Sequence, residues 1–88
     1  MGPEEFDNIL SSLDDAKSIL DGAVEDFRNA SNTLGEYLDI LRNPLNLMMT
    51  NKEELQRFEL KFKIHLMMAS NKIDAINVLL AKDDDIDK

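Results

Sequence analysis

The chain has 88 residues, 43% of them hydrophobic and 32% charged, with a net charge of −8 and no cysteine. That length holds one domain at most, and the apolar content is too high for a disordered chain. The composition excludes disulfides, thiolate metal sites and thiol catalysis, and the negative charge opposes binding to phosphate backbones or anionic lipid.

A domain of this size buries only about 60–65% of its unfolded surface. Its core is thin, and association with more protein is one way to supplement it. Glycine (3) and proline (2) are scarce, whereas Leu, Ala, Lys, Glu and Met are plentiful, which favours helix. No apolar run approaches the roughly 20 residues of a membrane span. Pro3, Glu4 and Glu5 stand where a signal peptide needs basic residues. The expected location is cytoplasmic, or secreted without a cleavable signal peptide. Phe6 stands where a myristoylation signal needs Ser or Thr.

Phe6, Leu13, Leu20, Phe27, Leu34 and Leu41 recur every seven residues, with Ile9/Leu10, Ala16, Ala23/Val24, Ala30 and Tyr37/Leu38 between them. This is the pattern of a coiled-coil seam, and it predicts a first helix over about 4–42 that packs through that one stripe. Glu4, Glu5 and Asp7 suit the positive end of its dipole and Arg42 the negative end. Gly22 and Gly35 each cost about 1 kcal/mol relative to Ala in a helix interior, and mark either bends or close approach by a neighbour. Asn29, Ser31, Asn32 and Thr33 weaken the same region. A break near 29–35, giving three helices, is the alternative.

Asn43-Pro44 stops the first helix, because the residue before proline is pushed out of helical geometry. The connection to about Thr50 carries Leu45, Leu47, Met48 and Met49, which either plug the end of the core or form an exposed contact. Two overlapping capping boxes, Thr50 with Glu53 and Asn51 with Glu54, then open a second helix over about 51–82. Its stripe is Leu55, Phe58, Phe62, His65, Ala69, Ile73, Ile76 and Leu80. Residues 58–66 also alternate apolar and polar like a strand, but no second strand is available to pair with them. The reading is therefore all-α: a long antiparallel two-helix hairpin, one domain over 1–88, ending in an acidic tail at 83–88. Residues 1–42 hold ten acidic and three basic residues, residues 51–82 four acidic and six basic. Opposite signs favour packing one half on the other.

No residue pattern points to catalysis or to a cofactor. His65 is the only histidine, and Lys61, Phe62, Met68 and Ala69 flank it at helical spacing, so it reads as a partly buried seam residue. Asp14/Asp15 and Glu25/Asp26 read as solvated helix charges, since carboxylate catalysis needs a cleft. Asp83, Asp85 and Asp87 imitate the start of a calcium loop, but no Gly or Glu follows to complete it. No metal or nucleic-acid site is expected.

The informative feature is surplus apolar surface. Leu60, Ile64, Met67 and Met68 fall outside the second helix's stripe, and a two-helix hairpin buries one stripe per helix. The expected interface comprises Leu55, Phe58, Leu60, Phe62, Ile64, Met67 and Met68, with Met48 and Met49. The partner is protein: further copies in a bundle or filament, or another helical protein.

Asn43-Pro44 at the turn, Leu55-Gln56, Phe62, Ser70, Lys72, then Ala75-Ile76 and Val78-Leu79-Leu80 give a layout over residues 43–80 that resembles the needle and inner-rod subunits of bacterial type III secretion systems. More loosely, Asn71-Lys72-Ile73 resembles the closing stretch of the flagellar rod–basal-body adaptor. The resemblance implies a secreted subunit that polymerises helically, with its second helix buried in the assembly. The alternative reading is a small acidic dimeric regulator, adaptor or secretion chaperone, with an acidic first helix facing a basic partner.

Overall fold

The computed structural model describes residues 1–45 and 51–86, with side chains to residue 81. Two helices, α1 (Pro3–Arg42) and α2 (Lys52–Ile86), pack against each other as a hairpin. The molecule measures 66 × 15 × 12 Å, with a radius of gyration of 19.8 Å. A globular chain of this length would have a radius near 12 Å. The accessible surface is 6742 Å², against roughly 5,200 Å² for a compact monomer of the same mass. The hairpin is extended and keeps surface that a globular fold would bury.

α1 begins at Gly2, whose carbonyl accepts from the Phe6 N–H at 3.0 Å, with Pro3 in the first turn, where its missing N–H costs nothing. It ends at Asn43, whose extended backbone (φ −98°, ψ 108°) is the geometry that a following proline imposes. The Asn43 side chain accepts from the Leu45 N–H at 3.1 Å. Of the two capping boxes, Asn51 supplies the observed cap: its Oδ1 accepts from the Glu54 N–H at 2.9 Å and its carbonyl from the Leu55 N–H at 3.3 Å. Thr50, Met48 and Met49 lie outside the described residues.

α1 is continuous through 29–35, so the three-helix alternative does not hold. Ala30 and Thr33 are buried, and the Thr33 hydroxyl donates to the Asn29 carbonyl at 2.9 Å, one turn back, instead of competing with the helix. Residues 58–66 are helical, as the capped segment demands. α2 continues beyond the expected end at 82 to Ile86. No Gly or Pro stops it there, and carboxylates near a helix C-terminus cost only about 0.3–1 kcal/mol each.

The largest departure concerns half of the expected α1 stripe: Ile9, Ala16, Ala23, Ala30 and Tyr37 face α2 as expected, but the Phe6 to Leu34 series does not. The buried and half-buried positions include Ile9, Ser12, Ala16, Ile19, Ala23, Asp26, Ala30, Thr33, Tyr37 and Ile40, a three-and-four repeat without a miss, with Gly22, Asn29 and Leu41 half-buried beside it. Phe6, Leu13, Leu20, Phe27 and Leu34 are exposed, and only Leu41 of that series is half-buried. The reason is steric. The stripe of α2 that faces inward carries bulk (Leu55, Phe58, Phe62, His65, Ile76, Leu79 and Leu80, with Ala69 and Lys72). Two packed helices interdigitate when large residues on one meet small residues on the other. Ala16, Ala23 and Ala30 are the small residues that α1 offers; leucines and phenylalanines in their place would hold the helices apart. On α2 the inward stripe matches the expected one except that Lys72 and Leu79 join it and Ile73 is exposed.

Candidate functional site

Three features define what this hairpin can do: a tight inner seam, an ion pair inside it, and two apolar faces outside it. The seam comes first because it sets where the rest points. Ala16, Ala23, Ala30 and Ala69 are its buried apolar residues, and no large side chain among the described residues is fully buried. Toward the turn, Tyr37 meets Phe58 edge to face, with ring centroids 6.2 Å apart at 68°. His65 is half-buried in the seam, and its Nδ1 is buried with no hydrogen-bond partner among the described residues.

The ion pair joins Asp26 and Lys72 across the seam through a direct hydrogen bond from Lys72 Nζ to Asp26 Oδ2. Asp26 is 5% exposed, whereas a third of the Lys72 side chain reaches solvent. Gly22 lies one turn before Asp26 with Lys72 passing over it; a Cβ there would sit 3.4 Å from Lys72 Cε. Gly22 thus marks close approach by a neighbour, while Gly35 has nothing within 4 Å of such a Cβ. A paired charge in a seam that is otherwise uncharged apart from His65 penalises every register that separates the partners. Local sequence carries no sign of this pair, because its members are 46 residues apart. Their shared signal is that each sits at a seam position in its own heptad.

The first outer face lies on α1. Phe6, Leu10, Leu13, Leu20, Val24, Phe27, Leu34 and Leu38 are exposed, from 38% at Leu38 to 53% at Phe6. At 100° per residue this stripe lies roughly 100° around α1 from the alanine seam. Leu34 shares a groove with Glu59, which places the stripe on the same side of the hairpin as Glu59, Leu66 and Ile73. Leu66 and Ile73 are themselves exposed. The second face lies on α2, where Leu60 (59%), Met67 (57%), Val78 (61%), Ile64 and Met68 are exposed. Met68 shares a groove with Gly22 and Ala75, on the other side of the hairpin. The two apolar faces therefore lie on different sides of the hairpin: the α1 stripe flanks the seam on one side, and Leu60 and Met67 look away from the seam on the back of α2.

The residues expected from sequence to form an interface divide between these settings. Leu55, Phe58 and Phe62 are half-buried in the inner seam; Leu60, Ile64, Met67 and Met68 stand on the outer face of α2. Sequence reasoning missed the α1 face, having assigned its residues to the inner seam. The repeat Ala16, Ala23, Ala30, in phase with Ile9 and Tyr37, was the signal that could have separated the two stripes.

Among the described residues the other ion pairs are exposed and local: Lys17–Asp21 at 2.9 Å, Arg28–Glu25 at 3.4 Å and Lys63–Glu59 at 3.0 Å. Such pairs add little stability. Among the described residues, no group of three or more His, Cys, Asp or Glu is placed to hold a metal ion, and no helix is long and apolar enough to cross a membrane. The molecule is an extended helical hairpin with exposed apolar faces, consistent with an assembly or interaction subunit. Comparison with protein-family models, curated proteins and solved structures finds no match.

Proposed function

We propose that this chain is a non-catalytic assembly subunit that associates with further copies of itself, in the manner of a type III secretion needle or inner-rod protein. The observation that carries the reading is the pair of exposed apolar faces on a hairpin in which, among the described residues, only small side chains are buried. Monomers rarely keep contiguous apolar stripes of this extent in water. The resemblance over residues 43–80 supports the secretion-system version. Within it, Leu60, Ile64, Met67 and Met68 carry intersubunit packing, while Leu55, Phe58 and Phe62 support them from the inner seam.

A second reading is favoured by the acidity of α1, which carries Asp7, Asp14, Asp15 and Asp21. It makes the chain a small regulator, adaptor or secretion chaperone that forms a discrete complex with a basic partner. Size-exclusion chromatography with light scattering across a concentration series separates the two. Growth into progressively larger species supports the assembly subunit. A fixed small oligomer at every concentration sinks it and leaves the adaptor.

A further inference from the structure

The two apolar faces differ in position, residue type and surrounding charge. The α1 face, centred on Leu13, Leu20, Val24 and Phe27, is bordered by Asp7, Asp14, Asp21 and Arg28, of which Asp21 pairs with Lys17 and Arg28 with Glu25. The α2 face, centred on Leu60, Ile64, Met67 and Val78, is bordered by Arg57, Lys61 and Lys63, of which Lys63 pairs with Glu59, and carries one acidic residue, Asp74, seven residues after Met67. Residues 1–42 carry ten acidic and three basic residues, and residues 51–82 four acidic and six basic.

Resting on the assembly reading, we infer that the contact between copies is head-to-tail: the basic apolar face of α2 on one hairpin docks on the acidic apolar face of α1 on the next. Three observations carry this. A symmetric α1-to-α1 contact brings two acidic borders together, whereas α1 against α2 brings opposite signs together, and like charges across an interface are costly. The α2 face spans residues 60–78, about 27 Å of helix, and fits within the α1 stripe from Phe6 to Leu38, about 48 Å long. The area fits as well. The α2 face and the alkyl parts of its border offer on the order of 600 Å², or about 1,200 Å² buried over both partners, the lower end of stable interfaces. Because the faces lie on different helices and on different sides of the hairpin, a copy bound through one keeps the other open. A heterologous contact of this kind grows into a ring or an open filament instead of stopping at two.

Complementation between two variants tests the arrangement. Leu20→Asp with Phe27→Asp disables the α1 face; Ile64→Asp with Met67→Asp disables the α2 face. All four side chains are exposed, so both variants should keep the helical circular dichroism of the parent. If either loses it, the milder pair Leu20→Gln and Met67→Gln replaces them. The expected result is that each variant alone runs as a monomer of 10.0 kDa. An equimolar mixture should form a 1:1 complex that grows no further, since each partner supplies the one face that the other lacks. A variant that dimerises alone reveals a symmetric contact through its intact face and overturns the inference. Two variants that stay monomeric when mixed also overturn it. Failure of the assembly reading is a different result: the parent chain itself remains monomeric at every concentration.

Discussion

Replacing Lys72 by Met keeps the length of the side chain and removes its charge, leaving the Asp26 carboxylate, 5% exposed, without a partner in the seam. Breaking a fully buried pair in this way costs about 3–5 kcal/mol. Water reaches a third of the Lys72 side chain and screens part of the interaction, so the expected loss is about 2–3 kcal/mol. A domain of this size has a total stability of roughly 4–13 kcal/mol, so the loss is a large fraction of it. The melting temperature should fall by on the order of 10 °C. Asp26→Leu alone should cost less, about 1 kcal/mol, because the flexible Lys72 can swing its ammonium into solvent. The double variant should recover most of the loss and end within about 1 kcal/mol of the parent, giving a coupling of about 2–3 kcal/mol in a double-mutant cycle. The assay is urea unfolding followed by far-UV circular dichroism, at a dilution where light scattering shows a single species. If Lys72→Met unfolds within about 0.5 kcal/mol of the parent, the pair contributes nothing and the reasoning fails.

The alanine seam makes a contrasting demand. Ala23→Leu inserts bulk where the helices touch and should destabilise by about 2–3 kcal/mol, whereas Leu20→Ala, on the exposed stripe, should change monomer stability by under about 1 kcal/mol; equal effects in the same unfolding assay would contradict the assignment of the two stripes. Gly35→Ala meets open space and should gain close to the full helix-propensity difference, about 1 kcal/mol. Gly22→Ala should gain less, since its methyl would lie 3.4 and 3.5 Å from Lys72 Cε and Cδ; thermal melts of the two variants side by side check the order. Removing the α2 cap with Asn51→Ala should cost about 1 kcal/mol, and Asn51→Asp should largely preserve stability, measured again by thermal melting.

Elements whose signal is local were legible in the sequence. Pro44 forces the end of α1, Asn51 with Glu54 starts α2, and the bulky stripe of α2 from Leu55 to Ile76 faces inward. What escaped depends on the partner helix. Phe6, Leu13, Leu20, Phe27 and Leu34 form the stronger hydrophobic repeat, and ranking by hydrophobicity selects them for the core. Which of two parallel repeats turns inward is decided by the volume of the opposing side chains, and α2 already supplies that volume. Alanine wins the position because it is small, a property that hydrophobic periodicity does not weigh. Asp26 likewise looked like one of many solvated carboxylates until Lys72 was brought against it. The surplus apolar surface was legible as a quantity; its distribution over two separate faces was not.

The seam built from Ala16, Ala23, Ala30 and Ala69 has a calorimetric consequence. The heat capacity of unfolding tracks the apolar area newly hydrated, and an average chain of 88 residues would show about 1.1–1.3 kcal/mol/K. This hairpin already leaves the leucines and phenylalanines of its α1 stripe in contact with water, so its own value should be below that, and its stability curve correspondingly flatter with temperature. The missing heat capacity should appear at the docking step instead, as a negative change on association, so that cooling loosens the contacts between hairpins before it loosens the hairpin itself.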